Sequence, residues 1–243
     1  MITFGICNSS KYNQKSHEYL EKLLESIYKE EIPGVEIICC GDYKTSDPRV
    51  KCIEIPNDDE NPISVKLNTL VENSRNEIVI LLRDYMELLP GFWKGFQKFG
   101  FDWDLSMCVV CNPDLTRFRD WCVWLGDDLF PNEYWMQNEE YIKQERPGRP
   151  YLPSYSYTDT KRMYISGGLF IGKREFFLKH KFPEHVKLMQ SEDVFWMDSI
   201  RLEKFSYKMN RYSGIILQKQ KDRCLVLEHE HFGTWEYISK GFV

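Results

Sequence analysis

The sequence predicts an α/β protein with a mostly parallel central sheet flanked by helices. Three observations predict it. Short apolar runs of strand length alternate with amphipathic stretches of helical period through the first hundred residues. Acidic residues follow directly on the ends of those apolar runs, at Asp42 and Asp84. A chain of 243 residues, 42% of them hydrophobic, is long enough to bury a substantial core. Alternating strands and helices imply a parallel sheet covered on both faces, and such sheets bind ligands beyond the carboxyl ends of their strands.

Residues 2–7 read as a buried strand. Residues 16–31 carry Leu20, Leu23, Leu24 and Ile27 at helical spacing with charges on the other face, and Pro33-Gly34 ends the run. Residues 35–40 form a second apolar strand, followed by a polar loop over 41–48, and residues 50–55 form a third. Residues 63–74 place Ile63, Leu67, Leu70, Val71 and Ser74 on one helical face. A strand over 77–84 ends in Asp84, and Pro90-Gly91-Phe92-Trp93 starts another helix with proline in its first turn. Residues 112–162 contain Pro113, Pro131, Pro147, Pro150 and Pro153 and little periodicity, which reads as a long structured excursion, usually a functional one. A Gly167-Gly168 turn follows, then a helix-like run opened by Glu192-Asp193, then a strand over 224–231 that ends in His229 and His231. The expectation is one domain over 1–243, with halves over 1–104 and 105–243.

Composition excludes some functions. The net charge of −5, with no strongly basic stretch to offset it, argues against nucleic acid as a partner. No apolar run approaches the roughly 20 residues of a membrane span, and the start lacks the basic and long apolar regions of a signal peptide. The expected location is therefore cytoplasmic. Eight cysteines could suggest disulfides, yet Cys7, Cys39, Cys40, Cys108 and Cys224 sit inside apolar runs, as buried thiols do. Cys108-Val-Val-Cys111 matches metal-ligand spacing by count, but a strand points its two thiols to opposite faces and there is no second pair.

The candidate site residues come from three strand or helix ends. A carboxylate at a helix N-terminus beside a flexible glycine turn can face a cleft and take a proton from a bound hydroxyl, which singles out Glu192 and Asp193. Helical amides would favour their ionised form near neutral pH. His229 and His231 alternate onto one face and can act together. Between Trp121 and Tyr164 the aromatics include Trp121, Trp124, Tyr134, Trp135, Tyr141, Tyr151, Tyr155 and Tyr157, and flat rings with polar edges stack on sugars as readily as they anchor a core.

The order of these segments resembles the GT-A glycosyltransferases, in particular the inverting family-2-like enzymes, over about residues 1–232 apart from the excursion. The residues that carry the resemblance are the first strand and helix, the second strand closing on Asp42, the helix with Lys66 and Asn68, and the run Ile78-Val-Ile-Leu-Leu-Arg-Asp-Tyr-Met-Glu-Leu-Leu-Pro-Gly-Phe92. Gly167-Gly168, Glu192-Asp193 with Arg201 eight residues later, and the late histidines complete it. The resemblance implies sugar transfer from a nucleotide-sugar donor to a hydroxyl of a glycan or glycoconjugate acceptor. It implies Asp193 as base with Glu192 the alternative, Asp42, Lys66, Asn68 and Asp84 on the donor, and Gly167, Gly168, Trp121 and Trp124 on the acceptor. It also implies Mn2+ or Mg2+ held by Asp84 with His229 or His231, where histidine nitrogen suits manganese better.

One departure stands out. The family's metal motif supplies two acids spaced Asp-x-Asp, whereas this chain has Asp84-Tyr85-Met86-Glu87. Metal could bind through Asp84, Glu87 or a histidine, or Lys66, Arg83 or Arg201 could offset the diphosphate instead. Asp127-Asp128 reads as a turn. Three rival functions remain. An inactive sugar-nucleotide- or glycan-binding module fits the eroded motif. A nucleotidyltransferase would need a glycine-rich basic loop where Cys7-Asn-Ser-Ser-Lys-Tyr12 stands. A metal-dependent hydrolase would use Asp84, Asp193, His229 and His231.

Overall fold

The computed structural model describes residues 1–56, 62–120, 122–124, 150–152, 163–165, 167–186, 192–200, 203–221 and 225–226. In chain order these form β1 (Ile2–Cys7), α1 (Ser16–Lys29), β2 (Glu36–Gly41), β3 (Val50–Glu54), α2 (Ile63–Asn73), β4 (Ile78–Arg83), β5 (Met86–Leu88) and α3 (Phe92–Phe99). They continue as β6 (Leu105–Cys111), β7 (Cys122–Trp124), β8 (Pro150–Leu152), β9 (Met163–Tyr164), β10 (Leu169–Lys173), α4 (Arg174–Lys179), α5 (Glu192–Ile200), β11 (Tyr207–Leu217) and β12 (Leu225–Val226).

Among the described residues, eight strands make one sheet in the order β3-β2-β1-β4-β10-β6-β11-β5, and four make a second in the order β12-β8-β7-β9. Every residue of β1, β2 and β6 is buried, as continuous apolar strands covered on both faces must be. Strands β3, β2, β1 and β4 are mutually parallel, as the alternating sequence implied. The second half corrects the expectation of a mostly parallel sheet: β10 runs antiparallel to both β4 and β6, and β5 antiparallel to β11. The sheet is mixed. The Gly167-Gly168 turn starts β10 at the carboxyl end of β4, Leu169 opposite Leu82, so from there the chain runs back along β4.

The two-residue link from β4 to β5 shapes the sheet. Four strand-to-strand steps separate β4 from β5 in the sheet order, which would span roughly 19 Å if the sheet were flat. From Arg83 to Met86 the chain can reach only about 11 Å. The sheet therefore curls, carrying β5 and its partner β11 back towards the carboxyl end of β4. The carboxyl ends of β1, β2, β4, β6 and β11 and the amino ends of β5 and β10 share one rim.

The helices cover this sheet much as their spacing foretold. In α1, Leu20, Leu23, Leu24 and Ile27 are buried. In α2, Ile63, Leu67, Leu70 and Val71 are buried, and so are the polar Ser64, Lys66 and Asn68. Pro90 does not enter α3: the helix starts at Phe92, and Gly91 in front of it takes φ +81°, a left-handed turn that suits glycine. Strand β5 was hidden inside the expected acidic motif. The Gly167-Gly168 turn joins strands of two different sheets rather than the arms of a hairpin, since β9 lies in the small sheet and β10 in the large one. Helix α5 is anchored by Trp196, fully buried, whose ring stacks on Phe182 at 4.7 Å and whose Nε1 donates to the His180 carbonyl at 2.7 Å.

Helix α3 lies so close on β11 that a methyl at Gly95 would fall inside contact distance of the Tyr212 carbonyl oxygen. Ser213 Oγ donates to the Phe92 carbonyl beside it at 2.8 Å. The backbone cannot yield as a flexible side chain would, so Gly95→Ala should destabilise the fold by about 1–3 kcal/mol or more. Chemical denaturation measures this, and a midpoint equal to that of the unmodified chain would contradict the close approach.

Candidate functional site

A cavity of about 700 Å³ opens on the shared rim. Its lining joins the carboxylates of Glu192 and Asp193 and the Gly167-Gly168 turn to the cations of Arg119, Lys219 and Lys221, with Tyr85 and Met86 between. A second cavity of about 520 Å³ lies at the amino ends of β2 and β3, but its two arginines are already ion-paired, Arg75 with Glu36 at 2.6 Å and Arg49 with Asp47 at 2.7 Å.

The acidic side is built by α5 against the turn before β10. Asp193 accepts the Gly167 amide on Oδ2 at 2.7 Å and the Val194 amide on Oδ1 at 2.9 Å. Glu192 is buried and ion-paired with Arg83, Nη2 to Oε1 at 2.9 Å, while Arg83 Nε donates to the Gly167 carbonyl at 3.0 Å. Arg83 thus ties the end of β4 to the glycine turn and to α5 at once. Stripping one partner from such a pair leaves an uncompensated buried charge, a loss of about 3–5 kcal/mol in comparable pairs. Burial, and then the charge of Glu192, push the Asp193 carboxyl up to about 6, against the opposing pull of the two amides and Arg83. The helical amides were expected to hold its acidity near the ordinary range; desolvation outweighs them. It remains mostly ionised at neutral pH.

The basic side comes from the residues after β11. Lys221 Nζ donates to the Tyr85 hydroxyl at 2.8 Å and sits 4.1 Å from the ring centre, and Lys219 Nζ lies 4.6 Å from the same centre. The segment is pinned from below: Gln218 donates to the carbonyls of Tyr19 at 2.7 Å, Met86 at 3.0 Å and, through its backbone amide, Tyr85 at 2.8 Å. The Lys221 amide donates to Asn112 Oδ1 at 3.0 Å. Burial, then the charges of Arg83 and Arg119, push the Lys221 ammonium down to about 8. Sequence reasoning missed Arg119, Lys219, Lys221 and the role of Tyr85. The signal was present: Gln218-Lys-Gln-Lys221 follows an apolar strand end just as Asp84 does, but the polar first half of β11 disguised the strand.

Three of the four expected donor residues, Asp42, Asp84 and Lys66, gather around the loop after β1. Asp42 accepts Asn8 Nδ2 at 2.6 Å, the Ser10 amide at 3.0 Å and the Ser10 hydroxyl. Burial pushes its pKa up, but Ser10 and then His17 outweigh that and hold the carboxyl below its ordinary value. Asp84 is buried and accepts the Ser16 hydroxyl, which in turn accepts the Ser9 amide at 3.2 Å. Burial pushes the Asp84 carboxyl up. One loop therefore bonds both acids, although neither lines the cavity itself. Lys66 is buried under the same loop, donating to the Asn8 carbonyl at 3.0 Å, and burial lowers its pKa. Asn68 goes elsewhere: its amide exchanges bonds with Phe182, 2.9 Å and 3.0 Å, and donates to Glu184 at 2.8 Å. It latches the segment after α4 rather than facing the cavity.

Among the described residues, no three His, Cys, Asp or Glu side chains gather as metal ligands do. Asp84 is spent on Ser16, and Met86 occupies the place of the motif's second acid. Among the described residues, Asp84 and Met86 do not by themselves make a divalent ion's ligand set. His229, His231, Trp121, Arg201, Asp127 and Asp128 lie outside the described residues, as does the side chain of Trp124, whose backbone is in β7. Cys7, Cys39, Cys40 and Cys108 are buried thiols outside any disulfide, as expected of apolar runs, and Cys224 lies outside the described residues. Among the described residues no helix is long and apolar enough to cross a membrane.

The raised Asp193 pKa has a stability consequence. The folded state holds this proton more tightly than the unfolded chain, so the stabilisation is present below about pH 4 and is lost as pH rises through about 6. Relative to Asp193→Asn, the unmodified chain should lose roughly 2–3 kcal/mol between pH 4 and pH 7, with no further loss above. Parallel denaturation series at several pH values measure the difference. A difference independent of pH would mean that the carboxyl is not desolvated.

The chain matches no protein-family model and no curated protein sequence. Its fold does have solved counterparts. Residues 1–349 of S. aureus TarS in complex with UDP-GlcNAc align with 100% of this chain at 13% identity and TM-score 0.51, and the same protein with UDP aligns with 93% at 11% and 0.51. GalNAc-T7 with UDP, GalNAc and Mn2+ aligns with 91% at 12% and 0.54. The chain spans 61%, 60% and 44% of those three chains respectively, less than two thirds of each. The fold is therefore that of the GT-A glycosyltransferases TarS and GalNAc-T7, as the order of segments implied.

Proposed function

We propose that this chain is a nucleotide-sugar-dependent glycosyltransferase that transfers a sugar, with inversion, to a hydroxyl of a glycan or glycoconjugate. The single observation that carries the reading is Asp193. It lines a cavity on the carboxyl rim, among the described residues accepts only backbone amides, and has its pKa lifted to about 6, where a carboxylate is ionised at neutral pH yet basic enough to take a proton. Glu192 is the weaker candidate because Arg83 already claims its carboxylate. The uridine nucleotides bound to TarS and GalNAc-T7 favour a uridine diphosphate sugar as donor.

In this reading Asp193 removes the proton from the acceptor hydroxyl as its oxygen attacks the anomeric carbon. The bond from that carbon to the β-phosphate oxygen breaks, and the nucleoside diphosphate leaves with the electron pair. Gly167 and Gly168 leave room for the reacting hydroxyl: a methyl at Gly167 would stand 3.1 Å from Asp193 Oδ2, and one at Gly168 2.7 Å from Met86 Cε. The loop that bonds Asp42 and Asp84, with Lys66 beneath it, forms the nucleoside side, and residues after 104 supply the acceptor side. Mn2+ or Mg2+, where bound, would neutralise charge on the leaving diphosphate. Asp84 with His229 or His231 would hold it, but the described residues do not furnish its ligand set and no step here depends on it. An inactive binding module is the second reading, favoured by the same eroded acidic motif.

Transfer assays with a panel of nucleotide sugars separate the two. Asp193→Asn should lower kcat by about 10²–10⁴-fold while donor affinity changes little, because this carboxylate faces the acceptor. In the unmodified chain kcat should climb with pH and level off above about 6, since only the ionised carboxylate accepts a proton. Undiminished transfer by Asp193→Asn would move the base elsewhere, and nucleotide binding without any transfer would favour the inactive module. On the nucleoside side, Asp42→Ala should weaken donor binding measured by calorimetry about tenfold; unchanged affinity would remove Asp42 from the donor site.

A further inference from the structure

Resting on that reading, we propose that Lys219 and Lys221, gathered on the ring and hydroxyl of Tyr85, bind the diphosphate of the donor and offset the charge that develops as it leaves. They would do in this chain what a divalent ion does where an Asp-x-Asp motif is intact.

Four features of the site point this way. The residue after Asp84 is a tyrosine that holds cations, so the segment expected to collect acids for a metal instead collects two ammonium groups. Met86, at the second acidic place, is buried and apolar, and presents its methyl group to Gly168. Two like charges over one ring repel each other, and Lys221 is also drawn partly out of water, with Arg83 and Arg119 adding to the strain on its charge. An anion between them relieves both costs, and the two negative charges of a nucleotide sugar's diphosphate equal the two ammonium charges. Finally, the segment is fixed in advance by the bonds of Gln218 and of the Lys221 amide, so little reorganisation accompanies the developing charge.

The cavity also places these cations with the proposed base, since Lys219, Lys221 and Asp193 line one space and Gly168 stands between Tyr85 and Asp193's partner Gly167. A diphosphate on the lysines would direct the attached sugar into the cavity that Asp193 lines. A phosphate group on an anionic acceptor would satisfy the same lysines, so the test must tell the two sources apart.

The test is calorimetric binding of UDP, GDP, CDP, TDP and ADP, each with excess chelator and again with manganese, to the unmodified chain and to Lys219→Met, Lys221→Met and Lys221→Arg. At least one nucleoside diphosphate should bind in chelator. Lys221→Met and Lys219→Met should each weaken it by about 10- to 100-fold, the loss of one charge-assisted contact, while Lys221→Arg retains most of the affinity. Lys219 is exposed, so Lys219→Met preserves the fold and keeps the test decisive if Lys221→Met unfolds. Binding that requires manganese and ignores both methionine substitutions overturns the proposal and leaves the glycosyltransferase reading standing. Nucleotide binding unchanged in the variants, with inorganic phosphate binding lost, would assign the lysines to an anionic acceptor and also overturn it. Absence of binding by every nucleotide, with or without metal, would instead remove the glycosyltransferase reading itself.

Discussion

The link between β4 and β5 is too short for the sheet it serves, and the site depends on that shortage. Two residues, Asp84 and Tyr85, separate strands that lie four places apart in the sheet order. A flat sheet would pull them beyond the reach of the chain. Curling closes the distance and brings the residues after β11 over Tyr85, within hydrogen-bonding range of its hydroxyl. Without the curl, the lysines of the second half and the carboxylates of α5 would not meet in one cavity.

Electrostatics then divides the labour between neighbouring acids. Glu192 and Asp193 are adjacent in sequence and share a helix turn, yet Arg83 binds one and leaves the other to backbone amides. The outcome is a paired carboxylate that holds structure and a desolvated one whose pKa rises to about 6. The same desolvation that lifts the Asp193 pKa opposes folding at neutral pH. Trp196, one helical turn further on, anchors α5 in the aromatic cluster of Phe170, Phe177 and Phe182 and holds the pair in place.

Much of this was legible in the sequence because burial writes a strong pattern. The runs that became β1, β2 and β4 are continuous and apolar, and α1 and α2 show their buried faces at helical spacing. Asp193 was legible because a carboxylate opening a helix beside two glycines is a local signal. What stayed hidden depended on contacts distant in the chain. Strand β5 has three residues, too few to show alternation. Strand β11 reads as polar over Tyr207–Tyr212 and pairs with β6 through a register shift between Asn210 and Gly214, so its lysine-bearing end was not anticipated. Asn68 looked like a donor ligand, but its partners at Phe182 and Glu184 are more than a hundred residues away, and no local pattern announces such a latch.

In the proposed site on the curled rim, the two lysines hold the diphosphate and Asp193 faces the acceptor hydroxyl. A crystal structure of this chain with UDP bound in the presence of chelator tests this arrangement most directly. Phosphate oxygens should lie within hydrogen-bond distance of Lys219 Nζ and Lys221 Nζ, with the terminal phosphate turned towards Asp193. A nucleotide seated instead in the cavity at the amino ends of β2 and β3, on Arg49 and Arg75, would contradict this arrangement.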